Sequence, residues 1–474
     1  MVAAADMPLA SPAIMFYAVD PREHIWEEIA AVPPYVSQAI PWFFIFGAIE
    51  LALSAVQGHC ARRFNFKETA ASLSFGIFSQ VAGIPFQAMG LAIYIQAYEY
   101  APWHVPHDSA FCWLALFLGY DLMYYALHRF CHEFHIGWVG HAVHHSGEAY
   151  NLATALRQGV LQGFFSPFFS LPLALAGLPP PMMLTHKMLN VLYQYWIHSE
   201  SIGSLGPLEY VLNTPSHHRV HHRPGGEANY AGVLIIWDRM FGTFRDEGSK
   251  QVDRYGWGKP LDSFDPMRAN ITHALRVFPI LGLSLLWRRR LVAKWRFSVA
   301  ALFEPLAPGR QALWTSPNIP ERLRYIGSTP PVGSWRGPLE AAYLSVHLLV
   351  TLVMYVAFEG KLKAAGAWAD PCVWAMALWV LLSLVSLGRL ADGDASGKVC
   401  ESARLLALLP AIPMMLAEEH RAAAAGGAVA LCTVWAAAGR GWWISPPFER
   451  EPPGASRRVT TRSRSATREK TPRP

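Results

Sequence analysis

Three short histidine clusters constrain this chain more than any other feature, because any fold it adopts must either bring them together or bury them apart. His128 and His132 lie four residues apart in DLMYYALHRFCHE (Asp121–Glu133). On a helix both imidazoles leave one face, with Tyr124 and Asp121 on the same stripe. His141, His144 and His145 follow directly, and a third cluster, HHRVHH, sets His218 three and four residues before His221 and His222, with His217 as a spare. His198 ends an apolar run between the second and third clusters. A lone histidine pair reads most simply as surface or packing. Three clusters in a chain with 19 His in all read as a polynuclear metal site. Neutral imidazole binds Fe, Zn, Cu and Ni, and a structural Zn needs about four ligands. His128, His132, His141, His144, His145, His198, His218, His221 and His222 are enough for two metals with positions left open. Asp121, Glu133, Glu148 and Asp238 are candidates to orient imidazoles or bridge the metals, each against the simpler reading of a helix-surface charge.

What surrounds the clusters is apolar. The chain is 52% hydrophobic and only 16% charged, with a mean hydropathy of +0.19, which is unusual for a soluble protein of 474 residues. It reads as polytopic in a membrane, and its 18 Trp and 17 Tyr suit the membrane interfaces. The six Cys form no CxxC pair and no regular spacing, so neither a disulfide framework nor a thiolate metal site is indicated. The net charge of +6 is no nucleic-acid footprint, since the segment from Glu449 to Pro474 carries eight basic residues against three acidic ones. That tail is expected to be disordered and solvated.

Taken in order, residues 1–38 form an N-terminal segment without a basic region leading into a short apolar run, so the first span is expected to act as signal anchor. That span is Ala39–Val56, followed by Arg62, Arg63 and Lys67 on a cytoplasmic loop. Ala70–Tyr98, broken by Gly83 and Pro85, reads as one tilted span or a kinked pair. Ser109–Ala126 leads into His128, which would place the ligands just outside the hydrocarbon, where the polar end of a lipid would meet them. Gly159–Ile197 reads as a helical hairpin turning at Pro179, Pro180 and Pro181. The polar stretch Ser199–Asp265, with NYAGVLIIWDRMFGTF (Asn229–Phe244), is expected to be a cytosolic cap closing the site. A short apolar run, Thr272–Trp287, and the basic block Trp287–Arg296 follow, the block serving as a topological anchor rather than a lipid phosphate site. The expected organisation is a catalytic domain over 39–302, a linker over 303–338, a C-terminal membrane region over 339–440 and a basic tail over 441–474. His347 and His420 in the second membrane region are expected to be packed or interfacial.

The pattern HxxxH, HxxHH, HxxHH among spanning helices resembles the fatty acid hydroxylase and sterol desaturase superfamily of membrane di-iron oxygenases. The likeness rests on Asp121–Glu133, on WVGHAVHHSGEAYNLATALRQ (Trp138–Gln158), on LGPLEYVLNTPSHHRVHH (Leu205–His222) and on Asn229–Phe244, and it is nearest to members that cleave ether lipids. The resemblance implies iron ligation by the three clusters, with His198 matching the family's extra histidine. It also implies a role for Glu133 in proton transfer or orientation. The implied reaction is hydroxylation of the ether carbon of 1-O-alkylglycerols with O2 and tetrahydrobiopterin. Hydrogen is abstracted beside the ether oxygen and hydroxyl is transferred, giving a hemiacetal that falls apart to fatty aldehyde and glycerol, in the endoplasmic reticulum membrane. The loop RPGGEA after His222 is shorter than expected for such members, which bears on substrate or pterin rather than on the metals. HRPGG is like a fragment of a cytochrome b5 haem motif without the rest of that domain, so electrons are expected from the pterin or an external donor.

Two rival classes stand beside this reading. The same boxes could serve a sterol or fatty acyl hydroxylase or desaturase fed by cytochrome b5. Outside enzymes, a polytopic chain with clustered His could be a metal-ion transporter, although transporter ligands usually lie within spans near the midplane. The fold expected is all-α: a polytopic membrane bundle with a cytosolic helical cap holding a His-coordinated di-iron centre. Its partners are the bilayer and a lipid substrate, with no nucleic acid.

Overall fold

A computed structural model describes residues 10–59, 63–223, 227–248, 263–277, 338–363 and 366–415, with a few positions near 255–261 and at 429. The basic block over 287–296, most of the linker, His420, the apolar stretch 422–438 apart from position 429, and the basic tail lie outside the described residues. Among the described residues β structure is confined to isolated bridge positions, the Leu212–Leu234 pair and Phe134. Everything else is helix or turn, as the apolar runs require: backbone at membrane depth can satisfy itself only internally.

Short 3₁₀ turns and one α-helical turn lead into α1 (Ile40–Val56). Asn65 caps α2 (Phe66–Ala82) through the amide of Lys67, and Pro85 at the start of α3 (Ile84–Glu99) breaks the ladder, so the two meet at a bend of 50°. Of the tilted span and the kinked pair, the chain forms the pair. Ser109 caps α4 (Ala110–Glu133), which continues unbroken beyond the apolar stretch ending at Ala126 and carries His128 and His132 at its end. Phe134 then adopts extended backbone and α5 (His135–His141) restarts. A one-turn α6 (Leu152–Leu156) precedes the hairpin of α7 (Gln162–Leu175) and α8 (Pro180–Trp196), which turns at the proline run. The cap holds α9 (Pro215–His222) and α10 (Ile236–Met240), and α11 (Pro266–Val277) leads out of it. The second membrane region is α12 (Pro338–Leu362), α13 (Pro371–Ala391) and α14 (Ala395–Met415).

Four described helical stretches are long and apolar enough to cross a membrane, ending at Val56, Glu133, Leu362 and Ala391, and the bent pair α2–α3 could supply a fifth. At 1.5 Å per residue, α7 with 14 residues and α8 with 17 fall short of the ~30 Å hydrocarbon core, so the hairpin dips into the bundle beside α4 rather than adding two full spans. This is a multi-pass membrane protein. Lipid offers helices little hydrophobic drive to associate, so close backbone approach takes its place. A Cβ at Gly90 would lie 2.5 Å from Pro167, and one at Gly140 2.7 Å from the Gln162 nitrogen, which fixes α3 and α5 against α7.

The second membrane region joins the first through a core of Ile77, Phe78, Val81 and Ile84 against Phe358, Met376, Val380 and Leu384. At its polar end Asp392 accepts from Ser263 and the Phe264 amide, and Arg389 pairs with Asp265 at 3.0 Å. Within it lies a buried network: Arg404 donates to Glu401 and to His347, and Ser386 and Tyr343 donate to Glu401. His347 is therefore packed, away from the other histidines.

Candidate metal centre

The structure brings all nine expected imidazoles into one buried layer at the C-terminal ends of α4 and α8. They fall into two groups. Within each, one nitrogen per ring lies within 4.8 Å of the others: His128, His132, His141, His145 and His221 in one, and His144, His198, His218 and His222 in the other. The spare His217 is not included; its ring packs edge-on against Phe244. Glu133 lies outside both groups, at the end of α4, where its Oε1 accepts from Arg129 Nε at 2.8 Å.

The helical spacings explain the grouping. His128 and His132 share the inner face of α4, as the four-residue spacing requires. On α9, His218 and His222 take the same face and join one group, while His221, about 100° away, faces the other. His144 and His145 are neighbours on a 3₁₀ turn and so split between the groups.

Nε2 atoms face one another at short range. His141 lies 3.0 Å from both His128 and His145, and His221 is 3.1 Å from His145. In the other group, His198 is 3.2 Å from His144 and 3.0 Å from His218, which is 3.1 Å from His222. Metal–imidazole bonds of about 2.1 Å at right angles put adjacent nitrogens about 3.0 Å apart, so the separations suit a shared ion.

The opposite ring nitrogens settle which atoms are free to ligate. Nδ1–H of His128 donates to the Tyr230 carbonyl at 2.8 Å, that of His144 to Arg157 O at 2.9 Å, that of His198 to Gln194 O at 2.7 Å, and that of His221 to Ala228 O at 2.9 Å. A carbonyl can only accept, so each of these neutral rings has a bare lone pair on Nε2. His144 and His198 thus point two lone pairs at each other across 3.2 Å, an arrangement that a cation between them makes favourable. Burial opposes the alternative of a shared proton. It pushes His141, His145, His198, His218, His221 and His222 well below the usual histidine range and His144 down to about 4. The Nε2 of His132 is buried with no hydrogen-bond partner, as expected of a ligand atom. The donor set fits a pair of first-row metal ions.

Several residues that hold the rings carried no signal in the sequence. Gln162 Oε1 accepts from His141 Nδ1 at 2.9 Å. The buried Arg157 fixes the carbonyl that serves His144 by donating to Ser146 and Glu68 and lying 4.7 Å over the Phe75 ring. Of the candidate carboxylates, Asp121 and Asp238 act one step away. Asp121 accepts from the amides of Val233 and Leu234 and from Trp237 and Asn190; Asp238 accepts from the amides of Tyr230 and Ala231. Together they fix the segment whose Tyr230 carbonyl orients His128. Glu148 is in neither group.

A cavity of about 260 Å³ is lined by Phe86, Gly90, Tyr120, Gly163, Ser166, Pro167 and Met183, with Lys187, Leu362 and Trp368 also on its wall. Gly163 follows Gln162 directly, and Tyr120 is two turns before His128 on α4, so the cavity shares the helices α4 and α7 with the residues that hold the imidazole layer.

Comparison with known proteins agrees with this geometry. A family model described as fatty acid hydroxylase matches residues 113–243. An alkylglycerol monooxygenase from Homo sapiens is 37% identical over 401 residues, covering 84% of this chain and 86% of its own. One from Xenopus tropicalis is 38% identical over 408 residues with the same coverage. An ornithine lipid hydroxylase from Rhizobium tropici is 32% identical over 126 residues, 26% of this chain and 38% of its own. No solved structure matches. With its histidine layer inside the matched region and the likeness extending over both membrane regions, the chain belongs to the alkylglycerol monooxygenase family, a group of membrane oxidoreductases of the fatty acid hydroxylase type.

Proposed function

We propose that the nine imidazoles hold two iron ions, one in each group. On this reading the chain hydroxylates the ether carbon of 1-O-alkylglycerols with O2 and tetrahydrobiopterin, releasing fatty aldehyde and glycerol in the endoplasmic reticulum membrane. The observation that carries the reading is the facing of bare Nε2 lone pairs across 3.2 Å in a buried layer, together with a largely apolar cavity among the same helices α4, α7 and α8. Bound iron would supply activation of dioxygen. The chain's own residues do the rest. Phe86, Pro167 and Met183 take the alkyl chain and exclude water, leaving the ether carbon at the imidazole layer and the glycerol toward the cap. Glu133, anchored through Oε1 by Arg129, is assigned to proton transfer at Oε2. Electrons come from the pterin or from an external donor protein.

Detergent-purified protein tests this by elemental analysis alongside aldehyde release from a 1-O-alkylglycerol, with and without tetrahydrobiopterin. We expect close to two irons per chain and pterin-dependent aldehyde, with both lost in His145→Ala. Two irons without aldehyde would move the substrate to another lipid class, such as sterols or acyl lipids with a cytochrome b5 donor. A protein without iron that moves metal ions across vesicles would overturn the reading in favour of a transporter.

A further inference from the structure

We propose that Tyr150 and Tyr255 form a redox relay out of the four-histidine group, in which Tyr255 is oxidised by one electron and passes its proton to Glu200. The inference rests on the proposed di-iron reading and concerns residues outside the imidazole layer.

Tyr150 is in contact with the metal-binding rings: its ring centroid is 5.1 Å from that of His222 and 5.9 Å from that of His198. Tyr255 stacks on Tyr150, with centroids 4.5 Å apart and planes inclined by 20°. The π-systems therefore form a continuous path from the four-histidine group to Tyr255. Both tyrosines are buried, which keeps water and small reductants from an oxidised ring.

The two phenols differ in what accepts their protons, and that difference decides where a hole can rest. An oxidised phenol is a strong acid and is stabilised only if a base takes its proton. Tyr150 donates at 3.3 Å to the backbone carbonyl of Ile197, which cannot accept a proton outright. Tyr255 donates at 3.0 Å to Oε1 of Glu200, a carboxylate that can. Arg63 lies 3.8 Å from the other oxygen of Glu200 and keeps that carboxylate in place. Tyr150 is thus a bridge and Tyr255 the terminus.

The step balances as follows. One electron leaves the Tyr255 phenol, crosses the stacked Tyr150 ring and reduces the O2-oxidised centre by one equivalent. The phenolic O–H bond breaks and its proton bonds to Glu200 Oε1. The products are a neutral phenoxyl at Tyr255 and a protonated Glu200. One electron from the pterin or donor, with return of that proton, restores both. Such a path drains oxidising power from the centre when no lipid is bound, which protects the imidazoles.

The test is electron paramagnetic resonance on iron-loaded, detergent-purified protein, freeze-quenched after mixing with O2 and tetrahydrobiopterin without lipid. Iron content and lipid-dependent aldehyde release are recorded on the same preparations. We expect a tyrosyl radical whose lines narrow when the protein is made with ring-deuterated tyrosine. Tyr255→Phe should remove the signal while iron content and aldehyde release stay within about twofold. Tyr150→Phe should cut its yield at least tenfold, and Glu200→Gln should slow its appearance. A tyrosine signal that persists in Tyr255→Phe, or an iron-loaded wild type that is oxidised without any radical, overturns the relay and leaves the proposed function standing. Absence of iron in the wild type overturns both.

Discussion

At the scale of single residues, a proton on Nδ1 turns a histidine into a ligand with one defined donor atom. Gln162 supplies that service to His141 through a side chain, so it can be removed without touching the backbone. Gln162→Ala should weaken metal retention about 10- to 100-fold, read by competition with a chelator, because orienting partners typically carry that much. Unchanged retention would mean that packing alone sets the ring. Protonation of the rings is the second residue-level effect. The folded pKa of His144 is lowered to about 4 by burial, so between the unfolded value near 6.5 and that folded value the unfolded chain binds more protons. Stability of the metal-free protein is therefore fully present above pH 6.5 and falls as the pH drops through this window, by up to about 3 kcal/mol for His144 alone. Thermal unfolding of chelated protein from pH 7.5 to 4.5 checks this, and a flat Tm would contradict it. The ligand residue types were legible in the sequence because i, i+3 and i+4 spacings project onto helix faces. Their partners were not, since carbonyls of Tyr230, Arg157, Gln194 and Ala228 are present in every residue type.

At the scale of elements, proline positions and apolar runs gave α1 and the α7–α8 turn, and marked Gly83 and Pro85 as an interruption without deciding between one tilted span and the α2–α3 pair. The apolar run of α4 ends near Ala126, and the helix continues through LHRFCHE to Glu133, carrying His128 and His132 at its end as their four-residue spacing requires. Asp121 shows how that layer is held by tertiary bonds invisible to periodicity. Its carboxylate joins α4 to α8 through Asn190 and to the 229–244 segment through two amides and Trp237. Asp121→Asn would turn an N–H2 group toward one of these donors and leave buried polar groups unmatched, at a cost of about 1–3 kcal/mol. The expected outcome is a lower Tm together with loss of iron, since the Tyr230 carbonyl that orients His128 belongs to the released segment. Asn190→Ala removes only one of the four bonds and should be milder on both measurements. Equal effects of the two substitutions would mean that Asp121 is not the hub.

At the scale of the whole molecule, no role for the second membrane region was legible from residue patterns, because a contact between residues 84–91 and 362–368 leaves no local signature. The fold supplies one: Leu362 at the end of α12 and Trp368 just beyond it line the apolar cavity together with residues of α3, α4, α7 and α8. If that cavity takes the alkyl chain, its far wall sets how long a chain fits, and the wall belongs to a region with no ligand to the metals. Leu362→Trp fills that wall without approaching an imidazole. We expect iron content and kcat for a short-chain alkylglycerol to be unchanged. For a long-chain substrate KM should rise about tenfold, the size of discrimination that a hydrophobic wall can exert. Substitution of the distant, exposed Val399 on α14 is the control for general loosening of the bundle. A chain-length profile identical to wild type would place the alkyl chain elsewhere, whereas a uniform loss at all lengths would mean that the second membrane region acts through stability rather than by shaping the cavity.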